Sequence, residues 1–262
     1  MSAIVKTRQL PLSGKTIVVT RSKEQAKEFS LLLEQYGARV LLFPAVEIVD
    51  PQSWSDCDKA LAKPAEYSGI IFTSVNAVQY FFRRAKKLKV MEQLKKCRVF
   101  AVGEKTKNAI DMYGMQSEKL SEIFSADQLA NEIVKSSEVG ERFLFPKGNL
   151  AKNDIQSILS SHGIIVDAIT VYCTQEPPFY DSRKRILKKI EENSDLVTFF
   201  SPSSVNNFVT KASSESITRI PVAVIGETTA EVARHEGMNV VLVASQSTAG
   251  VFADSILHYY AK

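Results

Sequence analysis

The chain repeats itself once, and this duplication limits the folds open to it more than any other feature. Ser74 in "FTSVNAV" and Ser201 in "FFSPSSV" stand 127 residues apart, as do Val78 and Val205. Arg21 of "VVTR" and Lys147 of "FLFPKGN" stand 126 apart, and so do Gly37 and Gly163. "AVGEKTKNAIDMYGM" from Ala101 matches "AVIGETTAEVARHEGM" from Ala223 with one slipped residue, so Gly103 and Gly226, Thr106 and Thr229, and Gly114 and Gly237 are each 123 apart. "SADQLANEI" from Ser125 lies over "TAGVFADSI" from Thr248 at the same spacing of 123. Four blocks in one order at nearly one offset mark an internal duplication. Each copy needs a core, and 262 residues that are 45% hydrophobic suffice for two.

Within each copy, strand and helix patterns alternate. "TIVVT" (16–20) is a short β-branched strand, and Ser22 opens a helix with Phe29, Leu32 and Leu33 on its apolar side, ended by Gly37. "ARVLLFPAVEIV" (38–49) reads as extended throughout, "GIIFT" as a strand, Asn76–Leu88 as a helix, "RVFAVG" as a strand, and Glu104–Tyr113 as a helix ended by Gly114. The second half runs through the same series: "RFLFP", helix, "IIVDAITVYCT", "LVTFF", helix, "PVAVIG", helix, "NVVLVA" and a last helix. Short strands alternating with helices predict the α/β class with doubly wound parallel sheets, one per copy. Continuous apolar runs such as "VVLVA" fit sheets covered on both faces. "RVLLFPAVEIV" and "IVDAITVYCTQE", 126 apart, are longer than their neighbours and are candidates for the place where the chain crosses between domains. Crossing out and back makes one domain from both chain ends and another from the middle. Two consecutive domains split near residue 138 fit the residues equally well.

Composition and motifs narrow the function. A net charge of +4 is too mild to argue for nucleic acid, and the basic stretch Arg83–Arg98 reads as a solvated helix face. Cys57, Cys97 and Cys173 are odd in number and lack ligand spacing, which suits a reducing compartment without disulfides. No apolar run reaches bilayer length. "MSAIVKTRQLPLSGK" lacks the apolar core of a signal peptide and reads as a loose tail, so a soluble cytoplasmic protein without membrane contact is expected. The chain has no GxxxxGK[ST] loop, no GxGxxG after its first strand, and no HExxH or CxxC. His162 and His235 end helices, where an imidazole suits the dipole, and His258 lies in the last helix. Neither a metal enzyme nor a nucleotide enzyme is expected.

In open α/β sheets ligands sit beyond the carboxyl ends of the strands, where helices begin. Polar residues gather at those positions: Thr20 and Arg21; Thr73, Ser74 and Asn76; Gly103 and Thr106; Lys147, Gly148 and Asn149; Ser201, Ser203 and Ser204; Gly226, Thr228 and Thr229. Their backbone N–H groups, hydroxyls and positive helix ends can together hold anions. Ser, Thr and Asn also cap helices wherever they stand. Six such turns on two domains facing one cleft read as a pocket for a polyanion.

The ordered blocks "VVTR", "GIIFTSVNAVQYF", "VFAVGEKT", "FSADQLA", "FLFPKGN", "ITVYCT", "VTFFSPSSVNNF" and "VAVIGETTAEVA" resemble the uroporphyrinogen-III synthase family from about Lys15 onward. The resemblance implies two α/β domains joined by a two-stranded β ladder: 1–39 with 177–262, then 51–167, with 40–50 and 168–176 as the ladder. It implies cyclisation of the linear tetrapyrrole hydroxymethylbilane, with loss of water, inversion of the last ring and no cofactor. It also implies a monomer in transient contact with the preceding enzyme of the pathway. The family's candidate proton donor is the tyrosine of "VY.T", here Tyr172. A phenol keeps its proton at neutral pH and can donate it, although a ladder tyrosine also packs its ring and leaves its hydroxyl wet. Where the family often has "GPTT", this chain has "GETT". Glu227 brings negative charge to an anion site, so either it points away or that turn binds less directly. The rival class is a two-lobed protein that binds a small anion without catalysis.

Overall fold

Aliphatic and aromatic runs build two five-stranded sheets in the computed structural model, which describes residues 10–118, 120, 125–151, 154–212 and 218–261. The first nine residues of the expected loose tail lie outside the described residues. Its remainder is not loose: Leu12 is fully buried in one core cluster with Phe29 and Leu33, and its N–H donates to the Tyr36 carbonyl at 2.9 Å. One sheet contains β1 (Thr16–Val19), β2 (Arg39–Leu42), β8 (Leu196–Phe199), β9 (Val222–Val224) and β10 (Val240–Val243), in the order β10-β9-β8-β1-β2. The other contains β3 (Glu47–Val49), β4 (Gly69–Phe72), β5 (Arg98–Ala101), β6 (Arg142–Gly148) and β7 (Ile165–Gln175), in the order β3-β7-β6-β4-β5. Every pairing in the first sheet is parallel, as are β7-β6, β6-β4 and β4-β5 in the second. The chain divides into two compact units, one running to Glu47 and resuming at Gln175, the other comprising Ile48–Thr174.

The duplication reappears in the strand registers. Thr16 pairs with Arg39, and 126 residues later Arg142 pairs with Ile165. Ile17 pairs with Leu196, and their counterparts Phe143 and Gly69 pair as well. Val197 opposite Val222 is matched by Ile70 opposite Val99. A one-residue slip would turn each core face outward, so equal registers mean that both copies conserve the same inside and outside.

Strand alternation sends side chains to two layers in each unit. In the first, Ile17 and Val19 face α1 (Lys23–Gln35) and a C-terminal helix, Ala249–Tyr260, through Phe29, Leu33, Phe252 and Ile256. Val18, Val197 and Phe199 face the opposite layer with Val205 and Phe208. In the second unit, Ile70 and Phe72 pack on α3 (Val75–Lys87) through Val78, Phe81 and Phe82, and on Cys57 and Leu61 of α2 (Ser55–Leu61). Ile71, Phe143 and Phe145 form its other layer with Leu129, Ile133, Ile155 and Leu159. Fully burying each such side chain stabilises the fold by about 1.5–3 kcal/mol.

One expectation about the strands is corrected. The segment 38–49 is not extended throughout: β2 ends at Leu42 and β3 begins at Glu47. Its first part is an edge strand of the first sheet, and β3 is the part that joins β7. Backbone bonding to the β1 side runs on past Leu42, with Phe43 N–H donating to the Val19 carbonyl at 3.0 Å and Ala45 N–H to that of Thr20 at 2.8 Å, while Pro44 between them restricts φ where the regular strand ends. Side chains add to this hold: Arg183 Nη2 donates to the Pro44 carbonyl at 2.9 Å and Asn207 Nδ2 to that of Ala45 at 2.9 Å. The basic stretch is a solvated face as expected, with Arg83, Lys86, Lys87, Lys89, Lys95 and Lys96 exposed. On it Arg83 bonds to Asp50, Arg84 Nε donates to Asp58 Oδ1 at 2.7 Å, and Lys95 Nζ lies 2.7 Å from Glu92 Oε1.

Candidate active site

Each sheet has a point where the winding reverses, between β1 and β8 in the first and between β6 and β4 in the second. Crevices open at such points. In the first unit the turn after β1 meets the turn after β8. Thr20 is fully buried and its hydroxyl donates to the Thr198 carbonyl at 2.7 Å, while the Thr198 hydroxyl donates to that of Val18 at 2.8 Å. The Thr20 hydroxyl therefore ties two strands together and faces inward. Arg21 lays its guanidinium 4.7 Å from the Phe200 ring centre and donates from Nε to Gln25 Oε1 at 3.2 Å. Burial pulls the Arg21 pKa down, opposed by the charge of Glu28.

The serines after β8 form a cap on α9 (Pro202–Val209). Ser201 Oγ accepts the Ser204 N–H at 3.2 Å, and Ser204 Oγ accepts the Ser201 N–H at 3.3 Å. Ser203 Oγ lies 3.1 Å from Ser201 Oγ and is half-buried, whereas Ser204 is buried. In the GETT turn Thr229 is buried and Thr228 exposed, so one hydroxyl is presented where two were expected. Thr229 takes the same buried place as Thr106 in the other copy, because both lie one turn into a helix whose inner face is core. Glu227 pairs with Arg234 further along its own helix, which draws its charge along the helix surface. The two turns also differ at their glycines: Gly103 has φ +75°, a region that favours glycine, while Gly226 at 178° is ordinary extended backbone.

In the second unit the turn residues converge on Tyr172. Ser74 caps α3 by accepting the Ala77 N–H at 3.2 Å, and its Oγ stands 3.4 Å from the Tyr172 hydroxyl. Gly148 pairs with Tyr172 across β6 and β7, after a register shift at Lys147. Asn149 continues the strand with its side chain: Oδ1 accepts the Thr174 N–H at 2.8 Å and Nδ2 donates to the Thr174 carbonyl at 3.3 Å. Lys147 Nζ donates to the Ala151 carbonyl at 3.1 Å. Thr73 and Asn76 are half-buried, and Thr73 lines a cavity of about 180 Å³ with Ala126, Phe145, Ala151, Asp154 and Ile155. The turn Gly103–Thr106 follows β5, at the sheet edge beyond β4. Sequence reasoning missed Tyr80, whose ring centre lies 5.8 Å from that of Tyr172 and whose hydroxyl donates to the Ile48 carbonyl at 3.0 Å. Its only signal was an aromatic beside the core residue Phe81. Among the described residues no group of three His, Cys, Asp or Glu side chains could hold a metal ion, and no helix is long and apolar enough to cross a membrane.

A family model described as uroporphyrinogen-III synthase HemD matches residues 27–253. The chain belongs to the uroporphyrinogen-III synthase family. It is 31% identical over 246 residues to the uroporphyrinogen-III synthase of Chlorobaculum parvum, covering 92% of this chain and 98% of that one. It is 31% identical over 202 residues to that of Synechococcus elongatus, covering 76% and 75% of the two chains. The fold is similar to the crystal structure of uroporphyrinogen-III synthetase from Helicobacter pylori, with a TM-score of 0.68 at 19% identity over 94% of this chain and 99% of that one. A mutant uroporphyrinogen III synthase from Thermus thermophilus gives 0.60 at 17% identity, over 93% and 98%. Membership in this family sets an enzyme of tetrapyrrole biosynthesis above the anion-binding alternative.

Proposed function

We propose that this chain is a hydro-lyase that converts hydroxymethylbilane into uroporphyrinogen III, inverting the last pyrrole ring, within haem biosynthesis. The observation that carries the reading is the family match across both copies of the repeat. The substrate is a flexible polycarboxylate, and the polar turns of each unit offer amide N–H groups, hydroxyls and positive helix ends suited to carboxylates. Thr20, Thr106, Ser204 and Thr229 shape these turns from within, since their side chains are buried. Arg21, Thr73, Asn76, Lys147, Asn149, Ser203 and Thr228 are the exposed or half-buried side chains proposed to meet the ligand.

The reaction asks little of an acid. The terminal C–O bond breaks with its electron pair going to oxygen, which takes a proton and leaves as water. For the last ring to invert, the freed carbon bonds first to that ring's substituted α-carbon. The bond from this α-carbon to its original methylene bridge then breaks, and the released bridge carbon bonds to the ring's unsubstituted α-carbon. The proton lost there as the pyrrole regains aromaticity restores the donor. Tyr172, with Ser74 beside its hydroxyl, is the proposed donor. Positioning does the rest, because cyclisation with inversion depends on how the last ring is held. No cofactor enters this scheme. The three free cysteines, two of them buried, suit a reducing cytoplasm. A monomer, in passing contact with the enzyme that supplies its unstable substrate, completes the proposal.

The test is the rate at which freshly made hydroxymethylbilane disappears. An enzyme accelerates its consumption above the spontaneous closure at catalytic concentrations of protein. A binding protein without catalysis leaves the rate unchanged or slows it in proportion to the substrate it holds.

A further inference from the structure

We infer that Gly148 and Ser74 are positioning residues for the Tyr172 hydroxyl, Gly148 as the seat of the ring tip and Ser74 as the partner that directs its proton. This rests on the proposed role of Tyr172 as proton donor. A Cβ added at Gly148 would stand 2.5 Å from Tyr172 Cζ, 2.7 Å from Cε2 and 2.7 Å from the hydroxyl oxygen. All three atoms belong to the hydroxyl end of the ring. Gly148 does not have the positive φ that requires glycine elsewhere in the chain, so contact with the ring, not backbone conformation, excludes a side chain there. The register shift at Lys147 brings this residue opposite Tyr172.

Ser74 completes the arrangement on the hydroxyl itself. Its oxygen accepts the Ala77 N–H at 3.2 Å, and of the two hydroxyls, either of which can donate across the 3.4 Å between them, Ser74 is the proposed donor. The phenol hydrogen then points elsewhere and is available for a substrate oxygen. Once it has been given up, the Ser74 hydroxyl and the positive end of α3 stabilise the phenolate.

Comparison of the two copies shows that the fold alone does not demand this pairing. At the spacing of 126, Gly148 corresponds to Ser22 and Tyr172 to Val46, while the capping serine is kept as Ser201 and Ser74. Glycine and tyrosine therefore occur together in one copy and are both missing from the other.

The experiment is a set of double-mutant cycles on the full chain, with turnover of hydroxymethylbilane and thermal melting as readouts. Gly148→Ala should lower kcat to within about twofold of Tyr172→Phe, and the double variant should be no slower than the slower single. Ser74→Ala should lower kcat in the wild type and not in Tyr172→Phe, with Ser74→Thr restoring it. Gly148→Ala should also lower Tm, and lower it far less in a Tyr172→Ala background, where the ring is gone. Losses that multiply in the doubles, or an equal drop in Tm in both backgrounds, overturn the proposal. Should Gly148→Ala fail to fold, the Ser74 cycle decides, since it leaves the seat untouched. A wild type that leaves substrate consumption unaccelerated overturns the functional reading, while the Tm cycle still decides whether Gly148 seats the ring.

Discussion

Tyr172 lies in a crowded place: Ser74 is at its hydroxyl, Gly148 under its tip and Tyr80 beside its ring. Tyr172→Phe keeps the ring and its packing and deletes only the oxygen. General acid help is worth about 10²- to 10⁴-fold where it is essential. The leaving hydroxyl here departs readily without an enzyme, so the expected loss in kcat is at or below the low end of that range. Unchanged kcat, measured with chemistry limiting, would make Tyr172 a packing residue. Thr228 and Thr229 separate as well. Thr228→Val should weaken turnover with little change in melting, because Thr228 is exposed at a helix start. Thr229→Ala and Thr106→Ala should act mainly on melting, because both side chains are buried. Kinetics and melting of the three variants check this, and a Thr106→Ala enzyme that melts normally but is inactive contradicts it. Ser74 and Tyr172 were legible in the sequence as a strand-end serine and a family tyrosine. Gly148 was legible only as part of a polar turn, because its contact with Tyr172 depends on a register shift that no local pattern announces. The inward turn of Thr20 was equally hidden, since its partner is a carbonyl 178 positions away.

Helix starts and helix pairs carry the next scale. Ser201 and Ser204 cap α9 reciprocally, and Ser201→Ala should cost about 1 kcal/mol in a denaturant melt. These caps follow from sequence, because serine before an apolar-periodic run reads as an N-cap. The clasp between α2 and α3 does not, since it joins residues 26 apart on separate helices. Arg84 donates to Asp58 and lies 5.1 Å from the Trp54 ring centre. Its hydrogen bonds hold the Asp58 carboxyl below the usual range. A carboxylate with a lowered folded pKa stabilises the fold above its unfolded value, about 4, and this contribution is lost as pH falls through the folded pKa. Melting of Asp58→Asn should therefore fall below wild type at neutral pH, and the gap should close in strong acid. A gap independent of pH would mean that the pair contributes packing only.

At the scale of the molecule, one duplicated unit explains both sheets. The offsets read from sequence reappear as equal registers, so the α/β class and the winding were legible before any coordinates. The crossing segment was legible only in outline. Extended residues on both sides of Pro44 hid the break, because the side chains that hold the carbonyls there, Arg183 and Asn207, come from distant helices. The two copies have since diverged: one carries the Gly148–Tyr172 pair, the other the exposed Thr228. The proposed reading places proton donation on the copy that carries Tyr172. Its central claim concerns which macrocycle forms, so the most direct measurement is the isomer composition of the product made from hydroxymethylbilane at rising protein concentration. The type III isomer should replace the type I product of spontaneous closure and become nearly the whole of it once enzyme outpaces the background. Product that stays type I in the presence of folded protein would contradict the account.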